Sequence, residues 1–250
     1  MARLSLLSAV ACLLVLGGTA WAVAPGDQIS CEVPLPPAMA SPVYQQLSEA
    51  DAARLIPGWD AFTRAHGEGW TVASYRRELG TPAALIGPSF PLAAPGSGDG
   101  VLREAALRFI GDNAPLLKVD PAQLAPPEIT SLMEGKRLFR FGQTYQGLEV
   151  VGGGAQIFTS DGKLVLAGSE FYPGIALGTV AAVSPSQAAM DAVGPIPFNP
   201  LTDQMEGSPR LVVYPMILQG APEYFLAWEV TFETRKPVGQ WCAYVDASDG

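Results

Sequence analysis

The chain has 250 residues, 48% hydrophobic and 16% charged, and a formal net charge of −9. An acidic surface of this kind excludes nucleic acid and anionic membrane as natural partners, because both need a basic face. One histidine in the whole chain excludes a catalytic zinc held by two histidines, and no His-Glu-x-x-His occurs.

The opening residues, MARLSLLSAVACLLVLGGTAWA, carry one basic residue (Arg3), an apolar run from Leu4 to Leu16, and small residues at Ala20 and Ala22. They read as a secretory signal peptide cleaved after Ala22. The apolar core is shorter than the roughly 20 residues of a membrane span. The expected product is extracellular or periplasmic, with no membrane association after cleavage. Removing 22 of 250 residues leaves 228, enough for one large or two small domains. Two cysteines then remain, Cys31 and Cys242. In an oxidising compartment they could close one disulfide around a very long loop, and two buried thiols are the alternative.

Residues 23–69 form a leader with a Pro-rich stretch (PLPPAMASP) and one helix candidate, SEADAARLI, with Ser48 as N-cap and acids in its first turn. In GWTVASYRRELGTPAALIG, Trp70, Val72 and Ser74 alternate before a Gly-Thr-Pro turn, which predicts a strand followed by a loop. Residues 70–100 are an arm and linker ending in the flexible PGSGDG. From 101, Leu102, Ala105, Ala106 and Phe109 share one helical face, with Asp99 available as N-cap and Pro115 beyond the end. RLFRFGQTYQ and AQIFTSDGKLVLAGSEFY then alternate as strands around an Asp161-Gly162 hairpin turn. A second helix-then-sheet unit starts at Ser184, an N-cap followed by Pro185 at the first helical position. Its strands are RLVVYPMIL, EYFLAWEVTFE and QWCAYVDA.

Three features bear on chemistry. Gly152-Gly153-Gly154 precede a run of period two and no Gly-Lys-Ser/Thr follows, so a phosphate cradle is rejected for a hairpin turn or bulge needing positive φ. His66, in RAHGEGW, has no nucleophile motif near it and reads as a solvated loop histidine. Glu149, Glu170 and Glu229 lie on or beside strands, where two carboxylates could flank a glycosidic bond, although nothing in the sequence fixes their separation. Trp228 and Trp241 alternate with small residues and read as core or inter-domain residues.

FRFGQTYQGLEVVGGGAQIFTSDGKLV resembles the fungalysin/thermolysin propeptide (FTP) module, patterned Arg-x-x-Gln-x-Tyr-x-Gly-x-x-Val, then strand, Asp-Gly turn and strand. The matching positions are Arg140, Gln143, Tyr145, Gly147 and Val150, then Asp161 and Gly162. EAALRFIGDNAPLLKVDPAQL is similar to that module's opening helix, and YRRELGTPAALIG to the Arg-x-x-Gly-x-Pro segment at the front of such proregions. SPSQAAMDAV, LAWEVTFE and YVDASDG, the last with Asp246, are similar to the PepSY module that follows FTP. The likeness covers about 70–250.

The resemblance implies an α+β fold of two cystatin-like units, FTP-like over 101–180 and PepSY-like over 181–250, with an extended N-terminal arm. It implies a noncatalytic proregion that serves in cis as foldase and temporary inhibitor of a secreted zinc metallopeptidase domain. No cofactor is expected on this chain. Zinc, and calcium as a further candidate, are expected only in the catalytic domain, which would begin where this sequence stops; a truncated precursor is expected. A standalone exported PepSY-type binding or inhibitor module is the second reading, and a carboxylate glycosidase the third.

Overall fold

The computed structural model describes residues 42–194 and 196–250. The expected signal peptide, the leader up to residue 41 and Cys31 lie outside the described residues. The helices are α1 Glu49–Leu55, α2 Trp59–His66, α3 Asp99–Asp112, α4 Ala114–Leu117 and α5 Pro185–Val193. The strands are β1 Tyr44–Gln45, β2 Thr71–Arg76, β3 Thr81–Pro91, β4 Glu128–Met133, β5 Lys136–Tyr145, β6 Leu148–Ser160, β7 Lys163–Ser169, β8 Gln204–Met205, β9 Arg210–Leu218, β10 Ala221–Arg235 and β11 Val238–Asp246. The fold is α+β, mostly strand, and the strands join in one curled sheet. The order is β1-β2-β3-β7-β6-β9-β10-β11, with β4 and β5 reached through β6, and β8 paired to β10.

Local chemistry sets the elements. The Ser48 hydroxyl accepts from Asp51 N and starts α1; the Ser184 hydroxyl accepts from Gln187 N and starts α5, with Pro185 in first place. Three two-residue hairpin loops place both central residues at positive φ: Gln146-Gly147 (49° and 85°), Asp161-Gly162 (49° and 76°) and Gln219-Gly220 (54° and 83°). That is the type I′ geometry whose twist matches the flanking strands.

Two elements differ from expectation. The stretch after Gly80 is not a loop but the eleven-residue strand β3. Gly87 and Pro88 fall where pairing with β7 is interrupted, between Ile86 and Phe90, so the N–H that Pro88 lacks does not break that ladder. Gly87 is required because Trp70 packs against it; a Cβ there would come within 2.4 Å of the Trp70 ring. α2 has no start signal in the sequence, since its N-cap, Gly58, offers no capping side chain.

Three apolar clusters hold the sheet. The largest joins Leu47 and Ile56, which flank α1, and Phe62 of α2 to Phe109 and Ile110 of α3 and Phe139, Ile157 and Leu164 of the sheet. Each such fully buried side chain contributes about 1.5–3 kcal/mol. A second puts Ala188 and Ala192 of α5 on Val230, Phe232 and Val245, with Trp228 and Trp241 packed alongside. The third, Leu79, Val150, Tyr172, Val213 and Ile217, ties the two halves together.

Candidate functional site

The three glycines lie inside β6, and they bulge it. Gly142 pairs with Gly154, but the next pair is Thr144 with Glu149, so β6 spends five residues where β5 spends two. The looped-out stretch reaches across to β9, where Val150 pairs in parallel with Val213. That contact joins the two halves of the sheet. Gly154 sits at φ 145°, and a Cβ on it would lie 2.1 Å from the Phe141 carbonyl oxygen. The glycines thus serve a bulge and not a hairpin turn.

Gln143 fills the space the bulge opens. It is fully buried, its Nε2 donates to the Tyr172 carbonyl (2.7 Å), and its Oε1 accepts from the Tyr172 N–H (2.8 Å). A side-chain amide thus replaces the missing strand neighbour for one residue. Beside it lies an ionic knot. The Arg76 guanidinium, 4% exposed, donates to Glu170 and to the Tyr172 hydroxyl (3.0 Å) and stands over the Tyr172 ring. Tyr44 of β1 donates to the same Glu170 (2.7 Å), and burial followed by that carboxylate raises its phenol pKa. Burial also raises Tyr172, and Tyr224, packed edge-on against it, is pushed up to about 12.

The remaining motif positions do structural work. Arg140 is exposed on β5, in register with Glu128 and Gln156, and its side chain makes no hydrogen bond among the described residues. The Tyr145 hydroxyl donates to Leu177 O (3.2 Å) and accepts from Leu177 N (3.3 Å), pinning the connection that leads to α5. Gly147 completes its I′ turn, and Val150 is 1% exposed in the third cluster. Gly162 O accepts from Leu92 N and Ala93 N, so the Asp161-Gly162 turn also anchors the end of β3. Asp246 closes β11, its carboxylate accepting from Ser248 N (2.7 Å). Cys242 is exposed on β11, opposite Thr231.

β10 resolves into two faces. Trp228, Val230 and Phe232 lie under α5, while Ala227, Glu229, Thr231 and Glu233 alternate onto the opposite, helix-free face. On that face Arg210 donates to Glu149 (2.8 Å) and Glu229 (2.8 Å), which hold its pKa above the ordinary range, Glu229 first. Tyr244 donates to the other Glu229 oxygen (3.3 Å), and Tyr214 stacks on Tyr244 with centroids 4.2 Å apart. The structure therefore brings Glu149 and Glu229 together through one guanidinium and leaves Glu170 apart, on Arg76. His66 is not a solvated loop residue. It ends α2, stacked 3.9 Å from the Phe90 ring, and burial lowers its pKa.

Arg76, Tyr172, Arg210, Tyr214 and Tyr244 carry no motif that marks them in the sequence. Even Arg76 is not marked by spacing: register shifts on either side of Ser74 turn Tyr75 into the apolar cluster and put Arg76 out of step with Trp70 and Val72.

The family model for the Fungalysin/Thermolysin Propeptide Motif matches residues 128–171. The matched span starts at the first residue of β4 and runs through β7 to Phe171, so it holds the bulge, Gln143 and Glu170. The match covers 44 of the 250 residues and supports a proregion of thermolysin or fungalysin type. No curated protein matches the chain. No helix of the described residues is long and apolar enough to cross a membrane.

Proposed function

We propose that the chain is the proregion of an exported zinc metallopeptidase of thermolysin or fungalysin type, working in cis as folding template and temporary inhibitor. The observation that carries this is the propeptide motif over residues 128–171, folded around its own Gln143 and bulge. On this reading the FTP-like unit is followed by a PepSY-like unit built from α5 and β9–β11, two helix-on-sheet units of cystatin-like form. Zinc, and calcium if it is used, belong to the peptidase domain, and the chain is the front of a longer precursor.

The physical mechanism is docking. Secreted proteases can be separated from their native state by a high barrier, and a tethered template that fits the partly folded domain lowers it. Tethering supplies an effective concentration on the order of millimolar, so the complex persists until the tether is cut. The helix-free face carrying Arg210, Glu229, Tyr214 and Tyr244 has the composition of a contact surface, two aromatics and an arginine over a rigid sheet.

The test is to refold the peptidase domain of the same precursor with and without the purified chain, and to titrate the active enzyme with it. The expected results are a higher yield of active enzyme and stoichiometric inhibition, both weakened by Arg140→Glu or Arg210→Glu. A chain that changes neither yield nor activity would sink the proposal.

A further inference from the structure

β11 ends the strand order and pairs only with β10 among the described residues. Its first eight residues, Val-Gly-Gln-Trp-Cys-Ala-Tyr-Val, contain no charge and no proline. Edge strands are ordinarily shortened, charged or broken to prevent pairing, and β11 has none of these protections.

The ladder shows which of its groups look outward. Thr231 O accepts from Glu206 N on the β8 side, and Leu226 O accepts from Ala247 N on the β11 side. Odd residues of β10 therefore turn their backbone groups away from β11, and Gln240, Cys242 and Tyr244, which stand opposite Glu233, Thr231 and Glu229, turn theirs to the open edge.

We propose that two copies of this chain join antiparallel along Val238–Asp246, about a two-fold axis at Cys242, making one sheet across the pair. Three observations select a second copy. Cys242 is the middle residue of the nine-residue strand, so full-length antiparallel pairing places the axis there. In that register Trp241 faces Ala243 of the second copy, Gln240 faces Tyr244, and Val238 faces Asp246, large against small with no like charges opposed. Arg235 and Lys236 lie at one end of the edge and Asp246 and Asp249 at the other, so antiparallel pairing sets basic ends against acidic ends while parallel pairing sets like against like. Such pairing is independent of the proregion reading.

Cys242 supplies the readout. Residues opposed in a hydrogen-bonded antiparallel pair have Cα atoms about 5.5 Å apart, inside the roughly 4.4–6.8 Å span of disulfides. The experiment uses the full chain with Cys12→Ser and Cys31→Ser. Sedimentation under reducing conditions should give twice the chain mass. Diamide, which takes up the two electrons and two protons the thiols release, should then link Cys242 to Cys242 between chains. Cys242→Lys, which sets two ammonium groups against each other at the axis, should return the mass of a single chain with an unchanged circular dichroism spectrum. Single-chain mass before substitution, or a dimer that diamide fails to link, would overturn the proposal. So would a Cys31–Cys242 disulfide within one wild-type chain, which would place the N-terminal arm on this edge.

Discussion

Gln143→Leu removes the amide that stands in for a strand neighbour while keeping nearly the same volume. The Tyr172 N–H and C=O then lose their partners at 2.8 Å and 2.7 Å, in a region where Gln143 itself is fully buried. An orphaned buried backbone group costs about 1–3 kcal/mol, and two of them about 2–6. Burying leucine in place of an amide returns about 1–2 kcal/mol, and the midpoints of the two ranges leave a net loss of about 2.5 kcal/mol. With a urea dependence of about 2 kcal/mol per molar, the unfolding midpoint should fall by about 1–2 M, followed by tryptophan fluorescence. Gln143→Glu sharpens the test. Its carboxylate in that dry site has a raised pKa, so the folded state holds its proton more tightly than the unfolded state; the variant should be more stable at pH 5 than at pH 8. A Gln143→Leu midpoint within about 0.3 M of wild type would show that the bulge does not need its amide.

Other consequences can be measured on the same material. The Thr159 hydroxyl is buried without a hydrogen-bond partner, so Thr159→Val should raise stability by about 1 kcal/mol in the same urea assay, and a loss of that size would refute it. Burial lowers the pKa of His66, the sole histidine, so the unfolded chain takes the proton first as pH falls. Its stabilising contribution is present above the unfolded value of 6.5 and lost as pH drops, and the one imidazole C2 proton signal in the NMR spectrum should titrate below 6.5. Burial raises the phenols of Tyr44, Tyr75, Tyr172, Tyr214, Tyr224 and Tyr244. The folded chain therefore keeps these protons after the unfolded chain has lost them, and stability should decline as pH climbs past 10. Ultraviolet difference spectra should show most phenols ionising together with unfolding; six ionising near 10 with the fold intact would refute the burial.

What could be read from the sequence was local. Ser48, Ser184-Pro185, Asp161-Gly162 and the apolar face of α3 each declare themselves within a few residues, and each is found in its expected role. β3 escaped because Pro82, Gly87 and Pro88 look like breakers, and only the Trp70 ring across the sheet explains why a strand needs Gly87. The ionic pairs were out of reach for a different reason. Arg76 is 94 residues from Glu170, and Arg210 is 61 from Glu149 and 19 from Glu229, so no spacing rule connects them.

The motif itself shows a division of labour. Of its described positions, Gln143, Tyr145, Gly147, Val150, Asp161 and Gly162 are occupied with turns, buried hydrogen bonds and the contact that joins the halves. Side chains committed in this way shape the sheet and have little left to offer a partner. Arg140 is the exception, its side chain exposed and without a hydrogen bond among the described residues. Beyond Glu149, the helix-free face lies outside the matched span, on Arg210, Tyr214, Glu229 and Tyr244. A motif of this composition specifies a scaffold; on the proposed reading, recognition of a particular peptidase would fall to Arg140 and to residues the motif does not contain.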